Sequence, residues 1–347
     1  MNQNLSSGTT SSSVISAKAP TPAQIARLNA LARAVEHPSG YLPDSGLEAA
    51  VHVALTLRKP LLVTGEPGTG KTRLGWYVSW KLAQGAGEPD RPPLVFESKS
   101  STTAKDLFYT YNTIGRFHAA QTNQGSQRSV DYITYNALGI AILNANERAK
   151  TENYLPDDFE HDGPRRSVVL IDEVDKAPRD FPNDILNEIE NMYFKVPELG
   201  NARIGAPREM QPIVIITSNS EKNLPAPFLR RCIYYDIPIP SVDRLRQIVC
   251  MRLQELAATR GDFLEEALDL FILFRHDSSA LEKKPATAEL LDWLVFLVAR
   301  GADTAQSLRN QGELVLHSLS AIIKSKQDQE SAVELLNGWL HGAPLDE

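Results

Sequence analysis

Gly65-Glu66-Pro67-Gly68-Thr69-Gly70-Lys71-Thr72 decides how the chain is read. The eight residues fit G-x-x-x-x-G-K-[ST], a loop whose glycines let successive backbone N–H groups turn toward one anion. Lys59-Pro-Leu-Leu-Val-Thr64 predicts a short buried strand before the loop, and Thr72 to about Gln84 reads as a helix after it. That order sets the partial positive charge of a helix N-terminus behind the loop, where it favours phosphate. On this reading Gly65, Glu66, Pro67, Gly68, Thr69, Gly70 and Arg73 surround the phosphates of ATP, Lys71 reaches its β and γ groups, and the Thr72 hydroxyl ligates Mg2+. A glycine turn ahead of an ordinary helix would look similar locally, so a second motif has to decide.

That motif is Ser167-Val-Val-Leu-Ile-Asp172-Glu173-Val-Asp175. Four consecutive apolar residues rich in β-branching predict a central parallel strand covered on both faces. Asp172 at its carboxyl end is suited to hold magnesium through water, and Glu173 to polarise the water that attacks the γ-phosphate. An acidic pair can also simply mark a solvated strand end. Set 101 residues after Lys71 (172 minus 71), it argues for a nucleotide hydrolase.

Further out, Pro93-Leu-Val-Phe96 and Pro212-Ile-Val-Ile-Ile-Thr-Ser-Asn219 predict two more strands. In a parallel sheet the strand ends on one edge converge on the ligand, so Asn219 either orients the attacking water or caps its strand. Leu224-Pro-Ala-Pro-Phe-Leu-Arg230-Arg231 follows. One of these arginines presented to a neighbouring subunit's nucleotide would neutralise charge in the transition state; alternatively the pair binds carboxylates within the subunit. The stretch from Tyr111 to Arg128 is polar and glycine-punctuated between helical patterns, either an insertion into a helix or a surface loop. Tyr193-Phe-Lys-Val196 and the Pro/Gly-rich connection after it suggest a hairpin. From Ser241 onward apolar residues three and four apart predict a helical bundle, with Lys283 and Lys284 at the start of its third helix either aimed at the nucleotide or simply exposed. Near the amino end Thr21-Pro22 opens one helix and Ser45 another, and Tyr41 between them is an adenine contact or a packed loop aromatic.

Composition narrows the class. With 347 residues and 42% hydrophobic content the chain can bury a large core. A net charge of −7 argues against phosphate-backbone binding as the main activity, although a local basic pore is compatible with it. No apolar run approaches the length of a membrane span, and no basic-then-apolar start suggests a signal peptide. Two cysteines, Cys232 and Cys250, without metal-ligand spacing fit a cytoplasmic setting. Residues 1 to about 20, rich in Ser and Thr, predict a disordered tail.

Taken in order, these motifs resemble the AAA+ ATPases, and within them the MoxR family of the helix-2-insert clade. Walker A (Gly65 to Thr72), Walker B (Val168 to Glu173), sensor 1 (Asn219) and the arginine segment follow in sequence and spacing. Thr102-Thr-Ala-Lys-Asp-Leu-Phe108, Phe194-Lys-Val-Pro-Glu-Leu199 and Lys284-Pro-Ala-Thr-Ala-Glu-Leu-Leu-Asp-Trp293 resemble MoxR specifically. The resemblance implies an α/β fold: a three-layer P-loop sheet domain over 21–240, then an all-α lid over 241–347. It further implies a helix-2 insert at about 101–130 and a pre-sensor 1 hairpin at about 193–211. A homo-oligomeric ring of six subunits with ATP and Mg2+ at each interface is implied as well, acting as a chaperone on a partner such as a von Willebrand factor A domain protein. The chain departs from the pattern at Ala286-Thr287-Ala288, where many AAA+ lids present a sensor 2 arginine, so only Lys283 or Lys284 is left for that role. Two other readings stay open: a nucleic-acid motor resembling restriction ATPases with the same insert, and a nucleotide-gated scaffold in signalling or defence.

Overall fold

In a computed structural model, residues 21–122, 126, 128–161, 163–221, 224–257, 262–276, 279 and 281–342 are described. The expected disordered tail lies outside them, as do 123–125 and 127 of the expected insert. The strands are β1 (Leu61–Thr64), β2 (Leu94–Glu97), β3 (Tyr109–Tyr111), β4 (Ile133–Tyr135), β5 (Val168–Asp172), β6 (Tyr193–Val196), β7 (Ala202–Gly205), β8 (Ile213–Thr217) and β9 (Ile233–Asp236).

Five of these pair in parallel in the order β2-β5-β8-β1-β9. Because side chains alternate across a strand, the apolar runs feed two cores at once. Leu62, Val169, Ile171, Val214 and Ile216 face one layer, filled by Leu138 and Ile142 of helix α5 (Ala137–Asn144, named in its turn below). Leu61, Val63, Leu170 and Ile215 face the other, with Leu47 from the helix Ser45–Leu57 and Leu74 and Val78 from the helix Lys71–Ala86. The register aligns Ile171 with Ile216 and Val63 with Thr217, so β1, β5 and β8 end almost level. The site is built on that edge.

In chain order the first helices are α1 (Pro22–Glu36), α2 (Ser45–Leu57), α3 (Lys71–Ala86) and α4 (Thr113–Thr122), ahead of α5. The apolar spacing from Tyr132 to Arg148 predicts helix, but the stretch opens with a strand. Residues 133–135 are β4, paired antiparallel with β3, and helix resumes only at Ala137. The described residues between Tyr109 and Tyr135 thus form β3, α4 and β4. The chain just before β3 sits hard against α5: a Cβ on Gly139 would stand 2.0 Å from the Phe108 carbonyl oxygen. The hairpin forms as β6 and β7, Tyr193 opposite Gly205.

Helices over Val242–Arg252, Phe263–Arg275, Thr287–Ala299, Gly312–Ile322 and Lys326–Leu340 enclose a separate core around Phe271, Phe274, Trp293 and Trp339. Helix α1, assigned from sequence to the 21–240 sheet domain, contributes Leu31 and Val35 to this lid core instead. Its apolar stripe announces a buried face but does not say which partner covers it. No helix among the described residues is long and apolar enough to cross a membrane.

Candidate functional site

Where β1 ends, the chain turns through Gly65, Gly68 and Gly70, all at positive φ. Gly68 and Gly70 need that freedom for a second reason. A Cβ on Gly68 would lie 2.5 Å from the Ala286 methyl of the lid, and one on Gly70 would lie 3.1 Å from Tyr41. Lys71, on the first turn of α3, is buried and donates from Nζ to the carbonyls of Gly65 (2.8 Å) and Glu66 (2.9 Å). Burial holds its pKa below the ordinary lysine value, against the opposing pull of Asp175, Asp172, Glu173 and Asp236. An anion entering the loop is thus the strongest partner this cation can gain.

At the next position the Thr72 hydroxyl donates to both oxygens of Asp172, at 3.0 and 3.1 Å. Asp172 closes β5 and also accepts from Thr217 Oγ1 at 2.6 Å across the β5–β8 pairing. The same Thr217 oxygen accepts the Glu173 N–H at 2.8 Å. Sequence reading chose Asn219 in this stretch and passed over Thr217, because only strand pairing brings that hydroxyl to the acidic pair. Glu173 stands at φ 52, a left-handed bend that turns the chain off the strand end. Its carboxylate pairs with Lys176 Nζ at 2.5 Å. Asn219 lies beside them, bound through its backbone N–H (3.2 Å) and side-chain amide (3.4 Å) to Asp175. Glu97, Ser98, Asp172, Glu173 and Lys176 line a cleft of about 620 Å³, and the buried Ser98 hydroxyl beside it has no hydrogen-bond partner among the described residues.

A second cavity, about 740 Å³, runs from Gly68–Gly70 between the 40–45 connector, the 237–241 segment and the lid. Tyr41 lines it and also packs against Tyr77, with ring centroids 5.3 Å apart. Burial, then the nearby Asp44, pushes its phenol above the ordinary range. Tyr41 is thus a packed loop aromatic that also borders the cavity beside the phosphate loop. Arg73 lines the same cavity and donates to the Glu36 carbonyl at 3.3 Å. Arg244 holds the connector through the carbonyls of Leu42 and Pro43, and Arg252 holds the end of α1 through those of Val35 and His37. Burial, then the charge of Arg73, pushes Arg252 down to about 10.

Arg230 and Arg231 are not part of this cluster. They precede β9, whose first residue Ile233 pairs with Leu61 at the start of β1, whereas the loop leaves β1 at the other end. Arg231 donates to Glu190 (3.1 Å) and to the Pro227 carbonyl (3.2 Å). Arg230 is exposed, and its guanidinium makes no hydrogen bond or ion pair among the described residues. Neither Lys283 nor Lys284 lines the cavity. A lid cation that does touch the phosphate loop is Arg275, on Glu66 at 2.9 Å. Its position at the end of the second lid helix gave the sequence reading no signal.

Residues 60–232 match the family model of the AAA domain (dynein-related subfamily). A mutant of RuvB from Thermotoga maritima is 16% identical, with 87% of this chain and 71% of that chain covered, at a TM-score of 0.40. No curated protein matches. The chain therefore carries an AAA domain, and its five parallel strands with a helical C-terminal part are the AAA+ P-loop fold followed by an all-α lid.

Proposed function

We propose that this chain hydrolyses ATP as one subunit of a six-membered ring and, as the MoxR-like strings suggest, spends each cycle remodelling or assembling a partner protein complex. The observation that carries the reading is the meeting of Lys71, Thr72, Asp172 and Thr217 at one sheet edge. A hydroxyl and a carboxylate already within 3.1 Å of each other form the hard oxygen set that Mg2+ prefers, so the residues present fit that ion. When bound, the ion would neutralise charge on the phosphates.

The chain's own residues do the rest. Lys71 would exchange two carbonyls for phosphate oxygens. Thr217 would hold Asp172 and the Glu173 backbone in fixed relation. Glu173 would leave Lys176 and take a proton from the attacking water while Asn219 orients that water. The arginine pair, at the far end of β9 from its own loop, would complete the site of the next subunit. A von Willebrand factor A domain protein is the partner class the resemblance favours.

Purified protein should release phosphate from ATP with Mg2+. Glu173→Gln should bind ATP yet turn over at least about a hundredfold more slowly, the usual worth of a positioned base. Lys71→Ala should lose binding. Full turnover by Glu173→Gln would sink the catalytic assignment. Tagged Glu173→Gln protein held with ATP and recovered from the native host should bring down a stoichiometric protein partner. Nucleic acid released by nuclease and by modest salt would instead replace the remodelling reading with a nucleic-acid motor.

A further inference from the structure

We propose that Arg275 is a positioning residue of the lid that masks the Glu66 carboxylate inside the phosphate loop and thereby sets how tightly the loop holds a polyanion. The proposal rests on the reading that this loop binds ATP.

Glu66 is an anion built into a loop whose ligand carries several negative charges. Left bare, it would repel that ligand across a few ångströms of partly desolvated protein. Arg275 answers it. Its Nη2 lies 2.9 Å from Glu66 Oε2, and its Nη1 donates to the Pro285 carbonyl at 2.5 Å. The guanidinium side chain is only 11% exposed, against 50% for the Glu66 side chain, so the cation is sunk into the seam between loop and lid while the carboxylate keeps one side in solvent. A planar fork divided between a carboxylate and a carbonyl is the kind of partner set that a buried arginine requires. The cation also sits in the last turn of the helix Phe263–Arg275, where the helix dipole favours positive charge.

The other face of Glu66 belongs to the loop. Its carbonyl accepts from Lys71 Nζ at 2.9 Å and from the Thr69 hydroxyl at 2.8 Å. Glu66 is thus the residue through which the lid cation reaches the phosphate lysine. The approach is possible because the lid offers small side chains there, with Ala286 directly over Gly68. The start of the third lid helix therefore places Ala286-Thr287-Ala288 against the loop, while the preceding helix supplies the charge of Arg275. This gives the lid a hold on nucleotide affinity that acts through Glu66.

The test measures ATPγS affinity, KM and kcat on the full chain with Mg2+. Arg275→Ala should raise the dissociation constant and KM about tenfold, with kcat moving less than about threefold. Adding Glu66→Gln to Arg275→Ala should restore affinity to within about twofold of the parent, since the charge that needed masking is gone. Glu66→Gln alone should bind at least as tightly as the parent, because Arg275 is then released toward the phosphates. This second variant keeps the idea testable if Arg275→Ala folds poorly. A double variant as weak as Arg275→Ala would overturn masking in favour of a packing role, as would tenfold weaker binding by Glu66→Gln. If the parent itself fails to bind ATPγS, the underlying assignment falls and this proposal with it. If the parent binds and rescue fails, only the proposal falls.

Discussion

Thr217 joins the two acidic residues by donating to Asp172 and accepting from the Glu173 backbone, all at the buried end of β8. Thr217→Val keeps the shape of the strand but leaves the Glu173 N–H without its acceptor and Asp172 with only the Thr72 hydroxyl of its two hydroxyl donors. A buried group stripped of its partner costs about 1–3 kcal/mol, so the melting temperature should fall by several degrees. The expected kinetic signature is kcat lowered at least about tenfold, because the base loses its fixed placement. Unchanged kcat in a folded Thr217→Val protein would remove Thr217 from the mechanism. This residue also marks the limit of legibility at this scale. Lys71, Thr72 and Asp172 could be read because their chemistry is tied to fixed local spacing or to a strand end. Thr217 and Arg275 acquire meaning only from strand pairing and from lid packing, and neither leaves a mark in the neighbouring sequence.

Elements were legible where local chemistry alone sets them. Helix α2 begins at Ser45 because Asp44 accepts the Leu47 N–H at 2.9 Å, an N-cap that a sequence displays openly. The same carboxylate accepts the Tyr235 hydroxyl, tying α2 to β9 at the edge of the sheet. Burial pushes the Asp44 carboxyl upward, but the Tyr235 bond, the Leu47 and Gly46 amides and the charge of Arg244 outweigh it, and its pKa is lowered on balance. A depressed carboxylate stabilises the fold fully above its unfolded pKa, near 4, and loses that contribution as pH falls through the folded value. Asp44→Ala should therefore cost about 1–2 kcal/mol at pH 7. Urea titrations at pH 7 and pH 3 should show that gap narrowing in acid; a constant gap would mean the charge plays no part. The β3–β4 pair was less legible, since Ile133-Thr-Tyr135 continues a helical apolar period and becomes strand only because β3 is there to pair with it. Tertiary pairing overrode the local pattern.

Across the whole molecule the division of labour follows from which edge of the sheet each group occupies. The phosphate loop leaves β1 at Thr64, while Arg230 and Arg231 enter β9 beside Leu61. Four residues of strand separate the two ends, about 13 Å, so a single chain does not bring its arginines to its own loop. Of the pair, Arg231 is already engaged with Glu190 in an exposed contact of the kind worth at most about 1 kcal/mol, whereas Arg230 makes no such contact among the described residues. Arg230→Ala should therefore retain ATP binding and lose most hydrolysis, as removal of a charge-stabilising arginine does, while Arg231→Ala should keep more of it. The decisive form of the experiment mixes two inactive proteins. Arg230→Ala subunits carry an intact loop and Glu173, and Glu173→Gln subunits carry an intact arginine. Where the second stands beside the first in the right order, one complete site forms. In a randomly mixed closed ring at equal amounts, about one interface in four has that arrangement (one half times one half), so up to about a quarter of the parent turnover should return. Rescue that peaks near equal mixing is the expected result. Turnover absent at every ratio, with mixed oligomers demonstrated by differential tags, would return the arginines to a role within their own subunit.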